Sequence, residues 1–471
     1  MTSKPVHLRA LCAQALAGAL SRYKTRANWK WISHALTWSV FVGGTIWRWV
    51  HVVHKHDPRD YLYSDMSIYV DLAKRLTETG YEPGVADMAH PIGLPTVLSW
   101  LYARDPSMQT MVYFQFIVCA LLPLAVGGLA WVAFGPGASK LAVAASSMYF
   151  PFVDYGGYFL TEIHFAFTLA LGVGLALFAV RRKKVVLAVA IGLLAGSAFS
   201  LSQVTKVMGF PAMACFLFFF VAFWRGPPRG IRGVVLLAVV LGAVPINAWQ
   251  FSRCTTANHG HFCIGTTKGA SDFLLGHYGR IYSITWHDPG GEVIWFGSPS
   301  AAQHGYTERV DMDFGLTDNA KNLETAMGWI KDNPQSALLL SLEHVYDLFF
   351  GSFPWPSVST KHWFAAAAGH YVFIILLFFP SCVRLLDILR MDGPRSLLGS
   401  TEVLLLAPLI GLVVTAAIAT GEPRYRFPFD SLFIVVSIEF FRNFRMRRTG
   451  GMGGTGSSVG GTNLDHDPGT A

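Results

Sequence analysis

Residues 109 to 134, QTMVYFQFIVCALLPLAVGGLAWVAF, contain no charged side chain. At about 1.5 Å per residue, a helix of that length outreaches the ~30 Å hydrocarbon core of a bilayer. The run VLLLAPLIGLVVTAAIATG at 403–421 repeats the pattern, and only 14% of all residues are charged, against about 25% in soluble domains. Such a chain is a membrane protein. Its net charge of +8 then needs no nucleic-acid partner, because Lys and Arg in a membrane protein chiefly set its orientation.

The apolar runs predict about ten spanning helices, near 32–53, 109–134, 139–156, 163–180, 185–203, 206–224, 233–251, 363–383, 402–421 and 425–441. No small-residue cleavage site follows the first run, which reads as a retained span. With a cytoplasmic N-terminal segment 1–31, the basic clusters RRKK (181–184), RGPPRGIR (225–232), Arg384 to Arg395 and RNFRMRR (442–448) all face the cytoplasm. The fold class expected is an all-α polytopic membrane protein with interfacial helices. Its spans would occupy 32–251 and 363–441, with a first exoplasmic loop at 54–108 and a large exoplasmic region at 252–362. The segment 442–471 would be a basic and then disordered cytoplasmic tail, its Gly/Ser-rich end lacking any periodicity.

The run SALLLSLEHVYDLFF at 336–350 would reach only about 22 Å as a helix and contains Glu343 and Asp347. It reads as an interfacial helix with its carboxylates turned to water. The shorter IGLPTVLSWLY at 92–102 reads the same way. Cys254 and Cys263 lie in the large outer region, where an oxidising compartment favours a disulfide; the interleaved His259 and His261 keep a metal site open, as they do two free thiols.

Polar residues collect at the outer surface. In YLYSDMSIYVDLAKRLTETG (61–80), Ile68, Leu72 and Leu76 form an apolar stripe at helical spacing, and Asp65 stands at the head of the helix. There it suits an N-terminal cap and a catalytic carboxylate equally. Asp71 reads as a solvated face residue. His90, in the proline-broken DMAHPIGLPTVLSW, fits a turn residue or a ligand for phosphate or metal. Asp154 and Glu162 flank a turn between two spans, and a carboxylate entering an apolar helix needs a partner or a watery cavity. Lys206 stands between two uncharged helices, where snorkelling to headgroups and a role in a site are both open. The last outer turn, TGEPRYRFPFD, sets Glu422, Arg424, Tyr425 and Arg426 where the positive-inside rule disfavours arginine, and such a pair calls for an anion, a headgroup or a substrate phosphate.

The ordered series SDMSIYVDLAKRL, HPIGLP, TE and EPRYRFPFDSLFIV, spread over residues 32–441, resembles the GT-C superfamily of membrane glycosyltransferases, closest to its bacterial protein O-mannosyltransferase-like and aminoarabinose-transferase-like branch. The resemblance implies a plasma (inner) membrane enzyme that moves a sugar from a polyprenyl-phosphate donor to an acceptor on the exoplasmic, or periplasmic, side. The acceptor can be a protein, a lipid or a polysaccharide of the cell envelope, and membrane lipids are the other partner. The first-loop aspartate, here Asp65, becomes the general base. Glu162 orients the acceptor or binds a divalent metal ion, the one cofactor left open. Arg424 and Arg426 hold the donor phosphate, with Lys206, His90 and Tyr425 as further substrate-binding residues. The segment TTKGASDFLLGHYGR (266–280) is similar to a Gly-rich stretch that ends in GN in relatives; His277 departs from it. Trp286, Trp295, Phe296 and Tyr306 would stack on sugar rings or pack locally. A secondary transporter and a non-catalytic assembly subunit are the competing readings; the charges gathered at one surface and the lack of an internal repeat weigh against transport.

Overall fold

The computed structural model describes residues 31–80, 82–85, 87–288, 291–296, 304–351 and 360–450. The N-terminal residues 1–30 and the Gly/Ser-rich tail from 451 lie outside them. Among the described residues six helices are long and apolar enough to cross a membrane: Gln109–Phe134, Glu162–Ala179, Val185–Thr205, Arg229–Ala257, Phe364–Asp392 and Thr401–Ile418. This is a multi-pass membrane protein. Glu162–Ala179 is the most enclosed, with 78% of its apolar window buried against 28–50% for the others. It is therefore the centre of the bundle, and the side chains at its ends are cut off from lipid.

The expected count of ten fails to appear as ten long helices because several apolar runs are broken. Residues 139–156 fold as Pro136–Met148 and Phe150–Asp154, interrupted at an extended Tyr149 with Pro151 just beyond. The break frees helix-end carbonyls, which an apolar medium cannot satisfy. Arg48, from the helix over 31–49, fills that role: it is fully buried and donates to the carbonyls of Ser147 (2.7 Å), Ser146 (2.8 Å) and Gly44 (3.0 Å). The run 206–224 folds only over Gly209–Ala222, because Lys206 adopts an extended conformation. The run 425–441 starts as two short turns, Pro423–Arg426 and Phe427–Phe429, before the helix Asp430–Gly450.

The all-α expectation is also corrected in the outer region. Strands β1 (Ile281–Asp288), β2 (Gly291–Phe296) and β3 (Glu308–Met312) form a sheet of order β2-β1-β3, with β2 antiparallel and β3 parallel to β1. Trp286 is the centre of its core, packed with Leu274, Ile284 and Phe314 and donating from Nε1 to Asn322 Oδ1 at 2.9 Å. It is a packing residue and offers no face to a sugar.

The helix Pro334–Phe350 inverts its expected orientation. Leu338, Leu339, Leu342 and Tyr346 are exposed, whereas Asp347 is buried and accepts from His304 at 3.3 Å. A carboxylate with a partner inside is stable there, and the leucines can face lipid without cost. The buried side of this helix seats on the chain leading to Arg424: a Cβ at Gly421 would lie 1.7 Å from the His344 carbonyl oxygen.

Candidate active site

Four chain segments bring their charges to one point. The helix Asp65–Glu78 buries Leu72 and Leu76 against Met88, Ile92 and the disulfide between Cys254 and Cys263, whose Cα atoms are 5.5 Å apart. That packing fixes the head of the helix. Ser64, just before it, takes φ 52°, a left-handed value that few side chains adopt, and caps nothing. Asp65 is no cap either: its Oδ2 accepts from Arg424 Nη2 at 2.7 Å. Gly93, opening the proline-broken helix, permits a backbone contact with Val204 that a Cβ would block at 2.5 Å, and so seats this segment on the helix ending at Lys206.

Arg424 is the hub. Its Nη2 donates to Asp65 and its Nε to Glu162, whose Oε1 also accepts from Lys206 Nζ at 2.7 Å. The contacts run in a row, Lys206 to Glu162 to Arg424 to Asp65. Glu162 is fully buried and Arg424 is 7% exposed, while the Asp65 side chain is 28% exposed, so water reaches the row from the Asp65 end. Burial pushes the Asp65 carboxyl up, but the Arg424 guanidinium and Lys268 outweigh it and hold the group well below the usual carboxylate range. Burial likewise opposes the charge on Arg424, and the two carboxylates overcome it.

Other expected residues stand around this row. Tyr425 lies beneath Lys206, its ring centroid 4.9 Å from Nζ. His90 is 6% exposed, edge-on to Tyr69 and stacked with Trp295, both at 5.6 Å. Burial, helped by Lys268, pushes its imidazole down to about 3, against the pull of Asp65. A neutral imidazole holds a phosphate less strongly than an imidazolium does. Arg426 is turned elsewhere: it pairs with Asp430 at 3.0 Å, donates from Nη1 to His370 Nδ1 at 3.2 Å and lies 3.4 Å over the Phe373 ring. Adjacent positions in a helical turn point about 100° apart per residue, so Arg424 and Arg426 diverge rather than pair. Asp154 is buried and Asp71 exposed, as a solvated face residue would be.

Two further participants were given no role by the sequence reading, which named Glu422 only as part of the last outer turn. Glu422 is buried beside Arg424, and burial pushes its carboxyl up to about 7 against the opposing pull of Arg424 and Lys206. Lys268 places Nζ 3.8 Å over Trp295 and 3.6 Å from Asp272. A lone lysine in an outer loop next to glycine was the one available signal. Phe296 has no described side chain, and Tyr306 donates to Glu343, away from this row. Among the described residues no group of three or more His, Cys, Asp and Glu side chains is arranged to hold a metal ion. Asp65 and Glu162, which would begin such a set, both face Arg424, so this arrangement does not fit a metal.

No protein-family model matches the chain, and no curated protein does. Among solved structures it is similar to the archaeal oligosaccharyltransferase AglB from Archaeoglobus fulgidus, in complex with an inhibitory peptide and a dolichol-phosphate. That match has TM-score 0.51 and 13% identity, over 91% of this chain and 53% of that one. The apo form of the Archaeoglobus fulgidus oligosaccharyltransferase matches at TM-score 0.50 and 12% identity, over 88% of this chain and 51% of that one. The chain thus spans about half the length of the archaeal protein. At such identity the likeness is one of fold alone, shared with the archaeal oligosaccharyltransferase.

Proposed function

We propose that the protein is an integral membrane glycosyltransferase that moves a sugar from a polyprenyl-phosphate donor to an acceptor hydroxyl at the exoplasmic face. The observation that carries this reading is the Arg424 guanidinium held between Asp65 and Glu162, with Lys206 at the far end of the row. The dolichol-phosphate bound to the archaeal oligosaccharyltransferase supports a lipid phosphate as the donor.

Arg424 cannot fully serve both Asp65 and a phosphate. An arriving donor phosphate draws the guanidinium toward its own oxygens, and charge-assisted bidentate contacts favour that exchange. Asp65 then loses the cation that depressed its proton affinity and becomes a competent base. It takes the proton of the acceptor hydroxyl as that oxygen attacks the anomeric carbon. The bond from that carbon to the phosphate oxygen breaks, its electron pair stays on the phosphate, and Arg424 with Lys206 stabilises the charge in a site shielded from bulk water. The configuration inverts in this single displacement. Glu162 holds Arg424 and Lys206 in register. Arg426, expected as half of the phosphate clamp, anchors the turn through Asp430 instead.

The test is incubation of the purified protein with a panel of polyprenyl-phosphate sugars and candidate acceptors. One donor should be consumed with transfer, and Asp65→Asn should lower the rate by about 10²–10⁴-fold with normal membrane insertion. Solute uptake into vesicles without donor consumption would favour the transporter instead.

A further inference from the structure

The transferase reading leaves the acceptor open, and the Asp65 end of the charge row bears on it. The backbone N–H of Thr267 donates to Met88 O at 2.9 Å and its hydroxyl to Val85 O at 3.2 Å, which stitches the outer region to the first loop and brings Lys268 beside His90. Strand β2, paired to β1 through Trp295 and Ile284, delivers the Trp295 ring to both. His90 is 94% enclosed and is held by ring contacts with Tyr69 and Trp295. Lys268 and Asp272 stand 3.6 Å apart, too far for a good hydrogen bond and close enough for one hydroxyl to bridge them. These groups lie at the Asp65 end of the row, whereas on the transferase reading Arg424 and Lys206 take the phosphate. In an in-line displacement the acceptor enters opposite the leaving phosphate, hence at the base.

We propose that His90, Lys268 and Asp272 form an acceptor subsite that reads the hydroxyls of a saccharide, with Trp295 as the positioning residue that holds the imidazole and the ammonium in place. The inference rests on the transferase reading for what happens at Asp65, but the subsite is defined by its own residues. A neutral imidazole offers one donor and one acceptor, the ammonium adds donors and the carboxylate adds acceptors. This mixed set matches a polyol ring. A peptide backbone would call for an extended row of main-chain partners, and a lipid for an apolar wall. Trp295 already stacks with His90 and lies under Lys268, so it acts through them and not as a platform for the sugar.

The experiment uses the full-length protein in detergent and three probes: neutral oligosaccharides ending in a hexose or an N-acetylhexosamine, a serine/threonine peptide, and geranyl phosphate as a donor surrogate. Binding is read by saturation-transfer NMR and titration. An oligosaccharide should bind, the peptide should not, and H90Q or K268M should each weaken the oligosaccharide about tenfold, the loss of roughly one hydrogen bond. Geranyl phosphate affinity should stay unchanged in both, which also verifies folding. Trp295→Ala should follow them, and Trp295→Phe should keep most of the affinity. Peptide binding without saccharide binding, or variants that weaken geranyl phosphate equally, would overturn the subsite. The two proposals fail separately. Saccharide binding that depends on His90 with no transfer from any donor sinks the transferase reading alone. Sugar transfer onto the peptide, indifferent to H90Q, sinks the subsite alone.

Discussion

Arg424 joins two carboxylates that differ sharply in exposure, and that difference separates their mutational consequences. Arg424→Ala would strand Glu162, fully buried in the bundle centre, with Lys206 as its remaining cation. Loss of one partner of such a buried pair costs about 3–5 kcal/mol, so thermal unfolding of the purified protein should show a marked drop alongside lost activity. Asp65→Asn leaves a partly hydrated amide in the same place and should unfold close to wild type, so its loss of transfer is chemical. Glu422 gives a pH signature. Burial raises its carboxyl from 4.5 to about 7, so the folded protein binds the extra proton across that window. The stabilisation is complete below about pH 4.5 and is lost as pH rises through 7. In the proposed reaction the ionised form competes with the donor phosphate for Arg424. Donor KM should therefore rise above pH 7 and lose that dependence in Glu422→Gln, as read from initial rates across the range. Glu162, Lys206 and Arg424 stood out in the sequence as charges in unfavourable places, and Asp65 as a carboxylate at the head of an interfacial helix. Their mutual contact did not, because Asp65 and Arg424 are 359 positions apart. Arg426 stood out by the same rule and went elsewhere, since residue type gives no direction.

At the scale of elements, tight backbone approaches and one disulfide position the site. Gly421→Ala would drive a Cβ into the His344 carbonyl, forcing apart the helix Pro334–Phe350 and the turn that carries Arg424. We expect transfer to fall at least tenfold and the melting temperature to drop, whereas Gly43→Ala, with nothing within 4 Å, should change neither. Replacing Cys254 and Cys263 by serine removes the wall on which Leu72 and Leu76 rest. It should cost about 2–4 kcal/mol and raise hydrogen exchange first in Asp65–Glu78. That amphipathic helix was legible from its stripe, and so was the existence of the helix at 336–350. The facing of the latter was not. Periodicity locates an apolar face, but only the neighbours decide whether that face meets protein or lipid.

Across the whole molecule, the four basic clusters predict one sidedness. Single cysteines introduced near 183 and near 259, in a background that keeps only the Cys254–Cys263 disulfide, should be labelled by an impermeant thiol reagent from opposite sides of the membrane. Labelling of both from one side would refute the topology. The sequence by itself determined the class of the molecule, because the scarcity of charge and the long apolar runs admit only a bilayer as solvent. It also determined that polar residues at one surface needed partners, since an unpaired charge among apolar helices is too costly to keep. The tertiary structure alone decided which partners they found, where the apolar runs break around Arg48, and that a three-stranded sheet carries Trp295 to His90. Those outcomes depend on contacts between segments remote in the chain, whose energies no local pattern of residues encodes.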